Sequence, residues 1–93
     1  MTLENLTEKY IDSAEKVFSQ LKRRETPICI EEKNIEDILN WATNYLQDAK
    51  YYKSQGKLET CLTSVAYCEG LLDALRLIGA VEFEWPTKKE NKK

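Results

Sequence analysis

Apolar residues recur at spacings of three and four along three stretches of this chain, and the stretches are separated or closed by Pro27, Gly56 and Gly79. That punctuation commits the chain to amphipathic helices, because proline cannot continue a helix and glycine readily takes the left-handed geometry that ends one. In the first stretch Leu3, Leu6, Tyr10, Ala14, Val17, Phe18 and Leu21 form one stripe, predicting a helix over 2–24. Glu4 and Glu8 near its start and Lys22, Arg23 and Arg24 near its end oppose the helix dipole at each terminus. A connection over 25–33 follows, with Ile28 and Ile30 expected to tuck under one end of a bundle.

Asn34 is the expected N-cap of a second helix over 35–55, with Glu36 and Asp37 in its first turn and Gly56 as its stop. Its inward face is Ile35, Ile38, Leu39, Ala42, Tyr45, Leu46, Ala49 and Tyr52. The third helix, over 57–78, is the most apolar stretch. Its apolar side, including Leu58, Leu62, Val65, Leu71, Leu72, Leu75 and Ile78, covers roughly 240° of the circumference. An arc that wide calls for two partner helices and a returning tail, or for a dimer. After Gly79, Val81, Phe83 and Trp85 alternate with Glu82 and Glu84, which suits an extended segment folding back on the helices. The expected architecture is therefore all-α: a three-helix up-and-down bundle over 1–86 with a short extended C-terminal tail, then a basic disordered tail over 87–93.

At 93 residues the chain has room for one core. No apolar run approaches the ~18 residues of a membrane span, and no signal-peptide pattern opens the sequence, so the expected location is cytoplasmic with no membrane partner. Lys88, Lys89, Lys92 and Lys93 against Glu90 make the tail +3 within a chain of net charge −2, leaving −5 on the body. An acidic body disfavours a broad nucleic-acid surface. Cys29, Cys61 and Cys68 are an odd number without CxxC spacing. Cys61 and Cys68 on one helix lie about 10 Å apart, too far for a disulfide, so each thiol reads as a small buried hydrophobe.

The chain has no histidine, which removes Ser-His and Cys-His nucleophilic pairs, the usual zinc enzymes and histidine acid-base chemistry. Three glycines are too few for a Gly-rich phosphate loop. No cofactor, metal site or catalytic residue is expected. Glu69 and Asp73, four apart on one helix face, leave a carboxylate magnesium site open with help from Asp48. The simpler expectation is an Asp73–Arg76 ion pair on a solvated stripe, worth about 0.3–0.5 kcal/mol. Projection of the second helix places Trp41, Tyr45, Asp48 and Tyr52 along one flank, a composition suited to a protein interface. The alternative is simple packing, with Asp48 accepting a hydrogen bond from Tyr67. Phe83 and Trp85 are the second candidate contact.

Between Ala42 and Gly79 the chain carries Tyr45, Leu46, Asp48, Ala49 and Tyr52, then Gly56 at a turn, then Ala66, Tyr67 and the run Glu69, Gly70, Leu71, Leu72, Asp73, Ala74. In these residues it resembles the archaeal family known as domain of unknown function 357. The resemblance implies a three-helix bundle and an archaeal source, and it carries no reaction, cofactor or catalytic residue. The function expected from the whole sequence is a non-enzymatic protein interaction or adaptor module, whose partner is another protein or a second copy in a homodimer. An RNA-associated accessory protein using the basic tail is the alternative, and a carboxylate-metal enzyme the third.

Overall fold

Thr2 opens the first helix: in extended geometry, its hydroxyl accepts a hydrogen bond from the Asn5 N–H at 3.0 Å. The computed structural model describes residues 2–25 and 27–86, and places α1 at Leu3–Gln20, α2 at Glu32–Ser54 and α3 at Leu58–Leu77. Among the described residues there is no strand. The basic tail expected to be disordered, 87–93, lies outside them.

α1 ends four residues before Arg24, because Leu21 turns extended. No acid stands three or four positions before Lys22, Arg23 or Arg24, so no side-chain pair supports another turn. The dipole-opposing cluster expected in the last turn therefore lies beyond the helix. α2 starts three residues earlier than its sequence signal, at Glu32, with Glu31 at the N-cap. Asn34 is not that cap. Three residues further in, its side chain accepts a hydrogen bond from the Glu31 N–H at 3.2 Å, reaching back as a capping-box residue does.

Both glycine stops hold. Gly56 has φ +75° and Gly79 φ +82°. The Gly56 N–H reaches the Lys53 carbonyl at 3.1 Å and the Lys57 N–H the Tyr52 carbonyl at 2.9 Å. Gly79 to Arg76 at 3.0 Å and Ala80 to Leu75 at 2.9 Å repeat this pair of bonds, so both helices close in Schellman motifs.

The turn at Gly56 folds α2 and α3 into a hairpin, which is the packed unit of the molecule. Its centre is Ala42 and Ala49 on α2 with Cys68 and Leu75 on α3. Each pair is seven apart and so lies on one line of its helix, and the alanines on α2 leave room for close approach of α3. Ile35, Ile38 and Leu39 of α2 and Val65, Leu71 and Leu72 of α3 are half-buried around that centre.

α1, the remaining helix of this all-α bundle, meets the hairpin through its first turns, where Leu6 is half-buried. Every other described residue of α1 is exposed, including Tyr10, Val17 and Phe18, the last at 77%. The radius of gyration, 16.1 Å, exceeds the ~12 Å of a close-packed chain this long. The α1 stripe is thus present as the periodicity requires but is not covered. Ile28 and Ile30 are also exposed rather than tucked under, since with α1 standing off the hairpin no bundle end closes over them. Cys29 beside them is exposed too, whereas Cys61 is half-buried and Cys68 buried. Burial raises the Cys68 thiol pKa, with the neighbouring Glu69 charge adding to it. No described helix is long and apolar enough to cross a membrane.

Candidate functional site

Two faces of the hairpin gather the side chains singled out in the sequence. On the first, Tyr45, Asp48 and Tyr52 of α2, at spacings of three and four, share a helix face and line a cavity of about 390 Å³. α3 contributes Thr60, Thr63, Ser64 and Tyr67, and α1 closes one side with Leu6 and Tyr10. The Tyr45 and Tyr67 rings stack at 4.3 Å with planes 11° apart, and Trp41, outside the cavity lining, stacks on Tyr45 at 6.0 Å. Three of the four flank residues thus share one cavity wall that continues across α3, with Trp41 stacked beside it. The expected internal bond is not there: among the described residues Asp48 accepts no side-chain hydrogen bond, and the Tyr67 ring stacks on Tyr45. Desolvation raises the Tyr45 phenol pKa, and the Tyr67 phenol and the Asp48 carboxylate beside it add to that rise.

On another face of α3 the tail returns. The Arg76 Nε and Nη2 donate to Asp73 Oδ1 at 3.0 and 2.8 Å, and the Trp85 indole Nε1 donates to the same oxygen at 3.1 Å. The Arg76 guanidinium lies 5.9 Å from the Phe83 ring centre, and Phe83 meets Trp85 edge-on at 4.8 Å. Asp73 therefore joins the polar stripe to the aromatic tail, two features that the sequence left separate. The Arg76 bonds hold its carboxyl pKa below the usual range, the indole bond adds to this, and partial desolvation opposes it. Glu69 lies beside this knot, lining with Ala66, Gly70, Asp73, Trp85 and Pro86 an open cavity of about 460 Å³.

Asp48 and the Glu69–Asp73 pair thus line different cavities. Among the described residues no three potential ligands converge on a metal position. Sequence reasoning missed Thr60, Ser64 and most of the role of Tyr67, although their spacing of four and three marks a polar line on α3 facing the α2 flank.

The arrangement defines a small helical-hairpin protein with an aromatic cavity, a clasped tail and a loosely held first helix. The chain belongs to the family described as protein of unknown function (DUF357), whose sequence model matches residues 9–81. The match extends beyond the hairpin through most of α1 and stops before Phe83 and Trp85. All the cavity-lining residues except Leu6 fall inside it. No curated protein and no solved structure gives a significant match.

Proposed function

We propose that the protein is a non-enzymatic interaction module, a cytoplasmic adaptor or accessory subunit, that docks another protein on the exposed stripe of α1 and the open part of α3. The observation carrying this reading is the uncovered apolar surface of α1. Leu3, Tyr10, Val17, Phe18 and Leu21 each keep more than half of their surface in water. At ~200 Å² per large side chain they expose on the order of 600 Å², at the upper end of the largest apolar patch on an ordinary monomer. Leu62 of α3, at 69% exposure, adds a second apolar point on the hairpin. An unpartnered amphipathic helix of this kind fits helix-in-groove recognition, with anchors at successive turns. The absence of histidine supports the non-enzymatic part of the reading.

The test is affinity capture of the tagged chain from lysate of its native organism, with and without nuclease, beside light scattering of the pure protein. A defined protein that survives nuclease and is lost with Phe18→Asp is the expected result. A concentration-independent monomer that retains nothing refutes the reading, and enrichment that vanishes with nuclease transfers the role to RNA. That alternative rests on Lys88, Lys89, Lys92 and Lys93, which lie outside the described residues.

A further inference from the structure

We propose that the tyrosine-walled cavity between the hairpin and the first turns of α1 is a binding site for an organic ammonium group. Its volume, about 390 Å³, lies in the range of small-ligand pockets. Four phenol rings line it, from Tyr10, Tyr45, Tyr52 and Tyr67, together with the single carboxylate of Asp48 and no basic side chain. An aromatic ring carries partial negative charge on its face and attracts cations held within about 6 Å. Asp48 adds a full negative charge that no described side chain neutralises, since the described ion pair of the protein is between Arg76 and Asp73.

That composition sorts ligands by charge. An anion is repelled by both the rings and Asp48. A dedicated calcium site gathers six to eight oxygens, and magnesium is held by one or two carboxylates together with waters or phosphates, so one carboxylate among phenols and alcohols is a poor match for a resident hard cation. A tertiary or quaternary ammonium suits the site, because it spreads its charge over an apolar shell that the rings can cover while Asp48 balances the charge. Thr60 and Ser64 on the α3 wall supply hydroxyls for a polar substituent on the ligand. The stacked Tyr45–Tyr67 pair gives the cavity one ordered wall before any ligand arrives. Because Tyr10 and Leu6 belong to α1, an occupant also ties α1 to the hairpin.

This site shares Tyr10 with the docking stripe above, but Leu3, Val17, Phe18, Leu21 and Leu62 do not line it. The same ammonium chemistry has two sources, a free amine or a trimethylated lysine on a protein, and two arms of one experiment separate them. The full chain is titrated calorimetrically with choline, with its neutral carbon isostere 3,3-dimethyl-1-butanol, and with a short peptide bearing trimethyllysine or plain lysine. Saturable binding of choline or the trimethyllysine peptide, with the isostere at least about tenfold weaker, is the expected result. Asp48→Asn weakens it by about tenfold and Tyr67→Leu by about fivefold, each with unchanged helicity by circular dichroism. Preference for the peptide assigns the site to a modified protein, and preference for choline to a free amine. Equal binding of choline and its isostere overturns the proposal, as does a wild-type affinity in Asp48→Asn. No saturable binding of any probe up to about 10 mM overturns it too. None of those failures touches the interaction reading, whose test depends on Phe18.

Discussion

Replacing Gly70 by alanine should raise the stability of the protein. Gly70 sits mid-way along α3 in ordinary helical geometry, the positive φ glycines being Gly56 and Gly79. A Cβ built there meets nothing within 4 Å. Glycine inside a helix costs about 0.5–1 kcal/mol relative to alanine, through the backbone freedom it loses on folding. With no steric term to offset it, Gly70→Ala should recover that amount. In a domain of this size the gain is a rise of about 2–8 °C in melting temperature, read by far-UV circular dichroism. Gly56→Ala is the internal contrast. A Cβ has equal room there, but φ +75° holds the residue in the left-handed region, so this change should cost more than about 1 kcal/mol. If Gly70→Ala left the midpoint unmoved or lowered it, the space over Gly70 would not be open in solution. Something would then occupy the cavity it shares with Ala66, Glu69 and Trp85.

Among the described residues Leu75 is the one large side chain fully buried, at 1% exposure, so Leu75→Ala should cost about 2–5 kcal/mol and leave the chain largely unfolded in modest urea. Phe18→Asp, by contrast, changes an exposed position and should shift the urea midpoint by no more than about 0.5 kcal/mol equivalent while abolishing capture. Because the Asp73 pKa is lowered in the folded chain, its bonds to Arg76 and Trp85 stabilise above the ordinary carboxylate value of 3.8 and fade as pH falls through the lowered value. In a Trp41→Phe background, Trp85 fluorescence should report that release below about pH 4, and Asp73→Asn should remove the step.

The elements legible in the sequence were those fixed by local chemistry. Gly56 and Gly79 end their helices because the left-handed position after a helix selects glycine, and the spacing of Ala42 and Ala49 set the inward line of α2. Asn34 was misplaced by three residues because asparagine serves equally as a cap and as the residue reaching back to one, and only the backbone shows which. The exposure of α1, Ile28 and Ile30 could not be read from periodicity, which defines a face without saying what covers it. The two candidate sites divide along the same line. Trp41, Tyr45, Asp48 and Tyr52 share a flank of one helix and were found by projection. The Trp85–Asp73 bond spans twelve residues and a chain reversal, and neither residue's local pattern announces it. A buried or half-covered indole N–H usually finds an acceptor, which is the signal that could have linked them.

The exposed first helix and the small buried centre bear on each other through mass action. Four residues make up the described apolar core, so the isolated chain draws on little buried surface, and at about 0.05–0.15 kcal/mol per residue its margin is narrow. A partner that covers α1 only in the folded state adds RT ln(1 + [L]/Kd), about 2.7 kcal/mol at a hundredfold excess over Kd. That is a large share of the margin. If the partner is a second copy, the melting temperature of the pure protein should climb with its own concentration, and Phe18→Asp should flatten the dependence without lowering the dilute-limit value. If the partner is a different protein, the pure chain should melt at one temperature at every concentration, and only addition of the captured protein should raise it. A rise with concentration that Phe18→Asp leaves intact would mean that copies associate through another face, and the assignment of α1 as the docking helix would fail.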